Sequence, residues 1–394
     1  MADQFYRTSH QGYFSRLANS VFGVLIGFVL IPGSVLLMSW NEYRTVHRAK
    51  GLIEAESVVA EVPDPLEILQ TLDQRLVHVS GMATTVETLT DSDFSIDRTA
   101  LRLERQVEMF QWIEHRESKT RDKIGGGQET ITTYEYRKDW KADRVQSEQF
   151  EEKDGHSNPQ LRFLSLSLVA EHATLGAFDF RPQLVRTIHA WKDIQVDLEK
   201  SLARFDAESK KQFKIDGVRL YCGVSIPDPG EPKIGDLRIR FRVVEPCVIS
   251  LLSKQSGRKF EPFRTSNGEN VELVKEGEVS ATLMFDSLRR ENTFMAWILR
   301  CVGWVLSCLG FALIAGPLKG LANFFPPLAG LVGFAAAALA VLLGSIVTLV
   351  TIGLAWIAVR PIVGISLLAI AGLGLYFLSR RKRKKELPMA VLAE

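Results

Sequence analysis

The chain of 394 residues carries 48 Lys and Arg against 46 Asp and Glu, a formal net charge of +2. Six basic side chains crowd the last fifteen residues against Glu386 and Glu394, so that tail holds +4 and leaves about −2 for the rest. The chain therefore has no basic field for nucleic acid, and its near-zero mean hydropathy conceals four apolar blocks around one charged stretch of roughly 250 residues, enough for a domain of its own.

In chain order, residues 1–20 read as a polar cytoplasmic tail. The first block, Val21–Trp40, predicts a transmembrane helix over 21–40. It is not a cleaved signal peptide: some twenty polar residues precede it, Pro32 interrupts it, and Ser39-Trp40-Asn41-Glu42-Tyr43-Arg44 offers no small-x-small cleavage pattern. Gly23 and Gly27 form a G-x-x-x-G pair, a face that permits close helix approach within a subunit or between subunits.

Residues 41–292 predict a periplasmic or lumenal α+β domain. Strands are expected at Arg75–Val79, Leu101–Glu114, Ile131–Trp140, Val218–Ser225, Leu237–Leu252 and Val279–Phe285, where Val, Ile, Tyr, Phe and Trp alternate with polar residues. Helical pieces are expected at Val46–Glu61, Pro65–Thr71, Leu161–Leu175 and Asp193–Phe213. Gly125-Gly126-Gly127 reads as a hairpin turn rather than a phosphate cradle, because Thr130-Ile131-Thr132-Thr133-Tyr134 follows it as a strand and not as a helix. The apolar stretch 163–180 is too short and too interrupted to span a bilayer; it predicts core, with a membrane-touching or subunit surface as the alternative. Cys222 and Cys247 are the cysteines of this domain. An oxidising compartment would permit a disulfide between them, while a free buried thiol is as natural in their strand-like settings.

The remaining blocks, Met295–Ala315, Leu328–Trp356 and Ile362–Leu378, predict transmembrane helices over 293–315, 328–358 and 361–378, joined by a cytoplasmic loop at 316–327 and followed by a basic cytoplasmic tail at 379–394. Four spans return the chain to its starting side. Arg7, Arg16, Lys319 and the run Arg380–Lys385 then place both ends in the cytoplasm and the domain opposite. The basic tail also suits anionic lipid head groups. Cys301 and Cys308 read as small packing residues. Ala336, Ala340 and Gly344 repeat at four-residue spacing, a second close-packing face. Arg300, between Trp297 and Trp304 at helical spacing, predicts an interfacial anchor: the arginine snorkels while the indoles mark the boundary. A ligand head group or a carboxylate of the domain is the alternative partner.

No catalytic constellation emerges. The seven histidines form no pair at ligand spacing, and no H-E-x-x-H, G-x-S-x-G, C-x-x-C or P-loop occurs. No cofactor or metal is expected. The predicted spans hold no Asp or Glu to relay protons, and Ser345, Thr348 and Thr351 can bond back to their own helix.

The ordered series Asn41-Glu42 with Arg44, Arg75-Leu76-Val77-His78 with Gly81, Val107-Glu108-Met109-Phe110-Gln111-Trp112 with Glu114, and Tyr136 and Trp140 resembles the LUMA (transmembrane protein 43) family. So do Gly155-His156 with Asn158-Pro159, Gly235-Asp236-Leu237-Arg238, Pro262-Phe263, Trp297 with Leu299-Arg300, Gly303-Trp304 and Arg360-Pro361. The resemblance implies a multi-pass, self-associating protein that helps to hold membrane protein complexes together. It implies the endoplasmic reticulum and inner nuclear membrane in a eukaryote, or the inner membrane in a bacterium, and brings no catalytic residues. The expected function is thus a non-enzymatic scaffold with itself, membrane lipids and other membrane proteins as partners. A channel or transport accessory subunit is the alternative, and a membrane-bound enzyme comes third.

Overall fold

The computed structural model describes residues 3–123, 127–322, 326–357, 362, 365–374 and 376. It is an α+β protein whose contacts divide it into two compact units: one built mainly from Gly51–Glu117 and Thr132–Ser287, the other from Thr8–Lys50, Ser118–Ile131 and the helices after Leu288.

The elements, in chain order, are β1 (Asp3–Gln11), α1 (Tyr13–Val58), β2 (Ala60–Glu61), β3 (Leu76–Thr85), β4 (Thr88–Asp91), β5 (Ile96–Thr99), β6 (Arg102–Asp122), β7 (Gln128–Lys141), β8 (Leu166–Val169), β9 (Ala173–Leu175), β10 (Phe178–Phe180), β11 (Lys192–Asp193), β12 (Phe213–Asp216), β13 (Arg219–Cys222), β14 (Leu237–Val244), β15 (Cys247–Ser256), β16 (Lys259–Glu261), β17 (Leu273–Glu276), α2 (Ala281–Ile314), α3 (Gly316–Ala322) and α4 (Pro326–Ile357). Short turns of helix and a small ladder, Phe263–Arg264 with Asn270–Val271, complete the domain.

The first sheet runs β1-β7-β6-β14-β13-β12, with β8 on β6 and β11 on β14. Its logic is plainest on β14, where the pleat sends Leu237, Ile239, Phe241 and Val243 into a core with Val107, Met109 and Leu220. The alternate residues Arg238, Arg240 and Arg242 face Glu108, Asp193 and Glu104 as cross-strand ion pairs. Phe94 fills the centre of this core, 4.9 Å from the Phe163 ring and 5.3 Å from Phe241. The second sheet runs β17-β15-β16-β10-β9-β3-β2, and β15 also pairs with β3, so five of these strands close on themselves around Val77, Val79, Phe178, Phe180, Ile249, Leu251 and Phe260. The β9–β10 turn needs Gly176: its φ is +59°, and a Cβ there would lie 2.1 Å from the Pro65 carbonyl oxygen.

Several expectations are corrected. Leu161–Leu175 is not helical but supplies β8 and β9, because Leu164-Ser165-Leu166-Ser167-Leu168 carries a period of two. Asp193–Phe213 holds only one-turn helices, Leu198–Ser201 capped by Asp197 and Ala207–Lys210 capped by Asp206, before β12. Pro65–Thr71 gives no α-helix, only a 3-10 turn at Gln70–Leu72. Leu237–Leu252 is two strands, broken at Glu245-Pro246 and distributed to different sheets. Val279–Phe285 enters α2, whose first turn is capped when Ser280 accepts the Leu283 N–H. Val46–Glu61 is helical as far as Val58 and continues the first apolar helix without a break. Within 163–180, Phe163, Phe178 and Phe180 belong to the core and Leu164 is exposed.

Three helices are long and apolar enough to cross a membrane: Ser20–Val58, Ala281–Ile314 and Gly330–Ile357. A fourth crossing is not established; Ile365–Gly374 is a shorter apolar helix, and most of the rest of 361–378, the Arg360-Pro361 loop and the basic tail lie outside the described residues. The same holds for Gly125 and Gly126, although the Lys123 N–H meets the Gly127 carbonyl where β6 and β7 converge. The N-terminal segment forms β1 beside β7, with the Phe5 ring 6.3 Å from Tyr136 and Arg7 2.8 Å from Glu151.

Candidate functional site

Within the helical unit, α1 and α2 run antiparallel, and small residues set their spacing. A Cβ on Gly27 would meet the Gly310 carbonyl oxygen at 2.6 Å and Ile314 at 2.8 Å; one on Gly303 would meet Met38 at 2.5 Å. Gly23 is looser, with Leu313 at 3.5 Å. On α4, Gly344 lies against Cys308 of α2, where a Cβ would sit 2.6 Å from Sγ and 2.9 Å from the backbone nitrogen. Ala340 is buried and Ala336 half-buried. Gly23, Gly27 and Gly344 thus all pack onto α2 within the chain.

Close backbones let polar side chains meet in pairs. Asn41 Nδ2 donates to the Ala296 carbonyl at 3.1 Å, and Asn292 Nδ2 donates to the Thr45 carbonyl at 2.9 Å. The charged centre follows one turn beyond Ala296 on α2. Arg300 Nε donates to Glu42 Oε1 at 2.6 Å and its NH2 group to Oε2 at 2.8 Å, a fork on a carboxylate. The Trp356 indole N–H of α4 donates to the same Oε2 at 2.5 Å. Arg300 stacks on both the Trp297 ring, 5.0 Å from its centroid, and the Trp356 ring, at 5.1 Å. The side chains of Arg300 and Glu42 are only 9% and 3% exposed, so each charge depends on the other and on the indole.

For Arg300, expected as a snorkelling anchor or as the partner of a carboxylate of the domain, the contact is with a carboxylate: Glu42, inside the 41–292 bounds drawn for the domain but carried by the first helix itself. Trp297 remains 59% exposed, as an anchor would be, but the Trp304 indole donates to Ser345 Oγ of α4 at 3.0 Å. Glu42 and Trp356 were missed as site residues. Glu42 fell just outside the apolar block, and nothing local to Trp356 announces a partner 314 residues away. Thr348 and Thr351 do bond back to the Gly344 and Val347 carbonyls of their own helix.

Cys222 on β13 and Cys247 on β15 occupy different sheets and are free thiols. Burial pushes the Cys222 thiol up to about 11, against a smaller opposing effect of Arg162. Among the described residues, Glu87, Glu171 and His172 have the composition of a metal cluster, but Glu87 already accepts the His172 backbone N–H, and Glu171 and His172 are exposed.

A β-rich domain inserted between apolar helices, which are themselves tied by a buried ion pair, defines an integral multi-pass membrane protein. The family model for Transmembrane protein 43 matches residues 109–361, and the chain belongs to that family. It is 27% identical to human Transmembrane protein 43 over 379 residues, covering 93% of this chain and 91% of the human one. It is 30% identical to the Transmembrane protein 43 homolog of Drosophila melanogaster over 286 residues, 71% of this chain and 73% of the fly protein. These relatives are named for a membrane protein, not for an enzymatic activity. No solved structure matches the chain.

Proposed function

We propose that this chain is a non-enzymatic membrane scaffold that self-associates and organises membrane or membrane protein complexes. The observation that carries the proposal is the use of the buried charge: Glu42 and Arg300 are spent on each other and on Trp356, holding three helices in register. A transport carboxylate needs access to water or to an ion. Glu42 is instead capped from two sides, which favours the scaffold over a channel or transport accessory subunit. The domain adds a broad sheet face of Arg and Glu pairs, and membrane confinement raises the effective concentration of neighbours. Its partners are other copies, membrane lipids, with anionic head groups at the basic tail, and other membrane proteins. In a eukaryotic cell the host membrane is the endoplasmic reticulum and inner nuclear membrane, and in a bacterium the inner membrane.

The test is the mass of the particle in lipid nanodiscs and in mild detergent, measured by light scattering. Several copies per particle are expected in both; a protein that stays monomeric at micromolar concentration in both media overturns the proposal.

A further inference from the structure

His78 of β3 is buried, 7% exposed at its side chain, and stands between two acceptors. Its Nδ1 lies 2.5 Å from Glu61 Oε2, and its Nε2 lies 2.8 Å from the Val279 carbonyl oxygen. Glu61 is three residues beyond the end of α1 and Val279 two residues before the start of α2. One imidazole therefore ties both connections that lead to the membrane helices onto the central strand of the closed second sheet.

Neither acceptor brings a hydrogen of its own while Glu61 is ionised, so both contacts are made only when both ring nitrogens carry protons. A proton lost from either nitrogen passes to water. Whichever nitrogen loses it then points a lone pair at an oxygen. The surroundings offer little substitute. Ser80, on the same face of β3, is engaged with Ser250 at 2.7 Å, and Ser250 Oγ also accepts the Val279 N–H at 2.8 Å. Leu252 stands opposite His78. Lys254, two residues along β15 from Leu252, is held by Glu261 at 2.8 Å, and Glu278, next to Val279, is exposed. Glu61 is thus the carboxylate bound to the ring.

We infer that His78 is a proton-operated clasp: protonated, it fastens the strap at Gly277–Ser280 and the β2 segment to β3, and on losing a proton it releases the weaker of the two. Ser250 continues to hold the Val279 N–H, so release loosens the strap without unfolding the sheet.

Hydrogen exchange of the full-length protein in nanodiscs, corrected for intrinsic rates, tests this from about pH 5.5 to about pH 8. Peptides over the strap or over β2 should lose protection by about tenfold as pH rises, the worth of one hydrogen bond to a charged group, while β14 stays constant. His78→Gln should abolish the pH dependence. Glu61→Gln, at an exposed site, keeps the protein folded and lets a neutral Nδ1 accept from the amide, so protection should persist across the range. Unchanged protection in the wild type, or the wild-type pH dependence in either variant, overturns the clasp.

Discussion

Glu42 accepts the indole N–H of Trp356 on the same oxygen that accepts the NH2 group of Arg300, so one carboxylate joins three helices from positions 258 and 314 residues away. Such a centre behaves as a unit. Removing one member leaves an uncompensated charge among apolar side chains, whereas removing both charges leaves mainly a packing problem.

Arg300→Leu or Glu42→Leu should therefore each cost about 3–5 kcal/mol, and the double substitution less than either alone. Trp356→Phe, which keeps the ring and drops the donor, should cost about 1.5–3 kcal/mol. Thermal inactivation followed by size exclusion in detergent measures all four. A double variant as unstable as the sum of the singles would show that the charges do not act together.

The glycines give a graded prediction. Gly27→Ala and Gly344→Ala place a Cβ against backbone atoms at under 3 Å and should each lose about 1–3 kcal/mol, while Gly23→Ala, with Leu313 at 3.5 Å, should be near neutral. The same melts decide it, and particle mass should follow stability rather than fall at constant stability.

The position of the N-terminal tail is decided by magnitude. Each strongly apolar residue of Val21–Trp40 gains roughly 0.3–0.6 kcal/mol in the bilayer centre, and the block holds many. The side chains of Gln4–His10 are exposed and bury little against β7. We expect a cysteine at Gln4 to react with an impermeant maleimide from the side that bears the C-terminus. Labelling from the side of the β-rich domain would keep β1 as the edge strand and remove α1 as a crossing.

Cys222 should be inert in the folded protein at neutral pH, since burial holds its thiol up near 11 and the thiolate is the reactive form. Burial likewise raises Cys247. Labelling should appear only as pH climbs toward that value, whereas denaturation without reductant should expose all four cysteines at once. A pair that labels only after reduction would reveal a disulfide.

The sequence was most legible where periodicity acts over short range. β6, β7 and β14 follow from alternation, and the apolar helices from sheer length. It was least legible where one residue type serves two structures: Leu166 and Leu168 suit a helix as well as a strand, and the short caps at Asp197 and Asp206 are hidden inside an apparently helical run. The site depends on tertiary register. Arg300 stood out because an arginine in an apolar block is expensive, but Glu42 could be matched to it only once Gly27 and Gly303 had set how α1 and α2 slide past each other.

The 258-residue separation of Glu42 and Arg300 also has a meaning in time. At a synthesis rate of about 5–20 residues per second, the first helix waits roughly ten to fifty seconds before its counter-charge is made. During that interval the carboxylate has no arginine, and the whole β-rich domain is produced and can fold. Completion of the second helix is then the moment at which Glu42 first meets its counter-charge, and a chain truncated before Arg300 keeps that acid beside its apolar helix with no arginine to meet it.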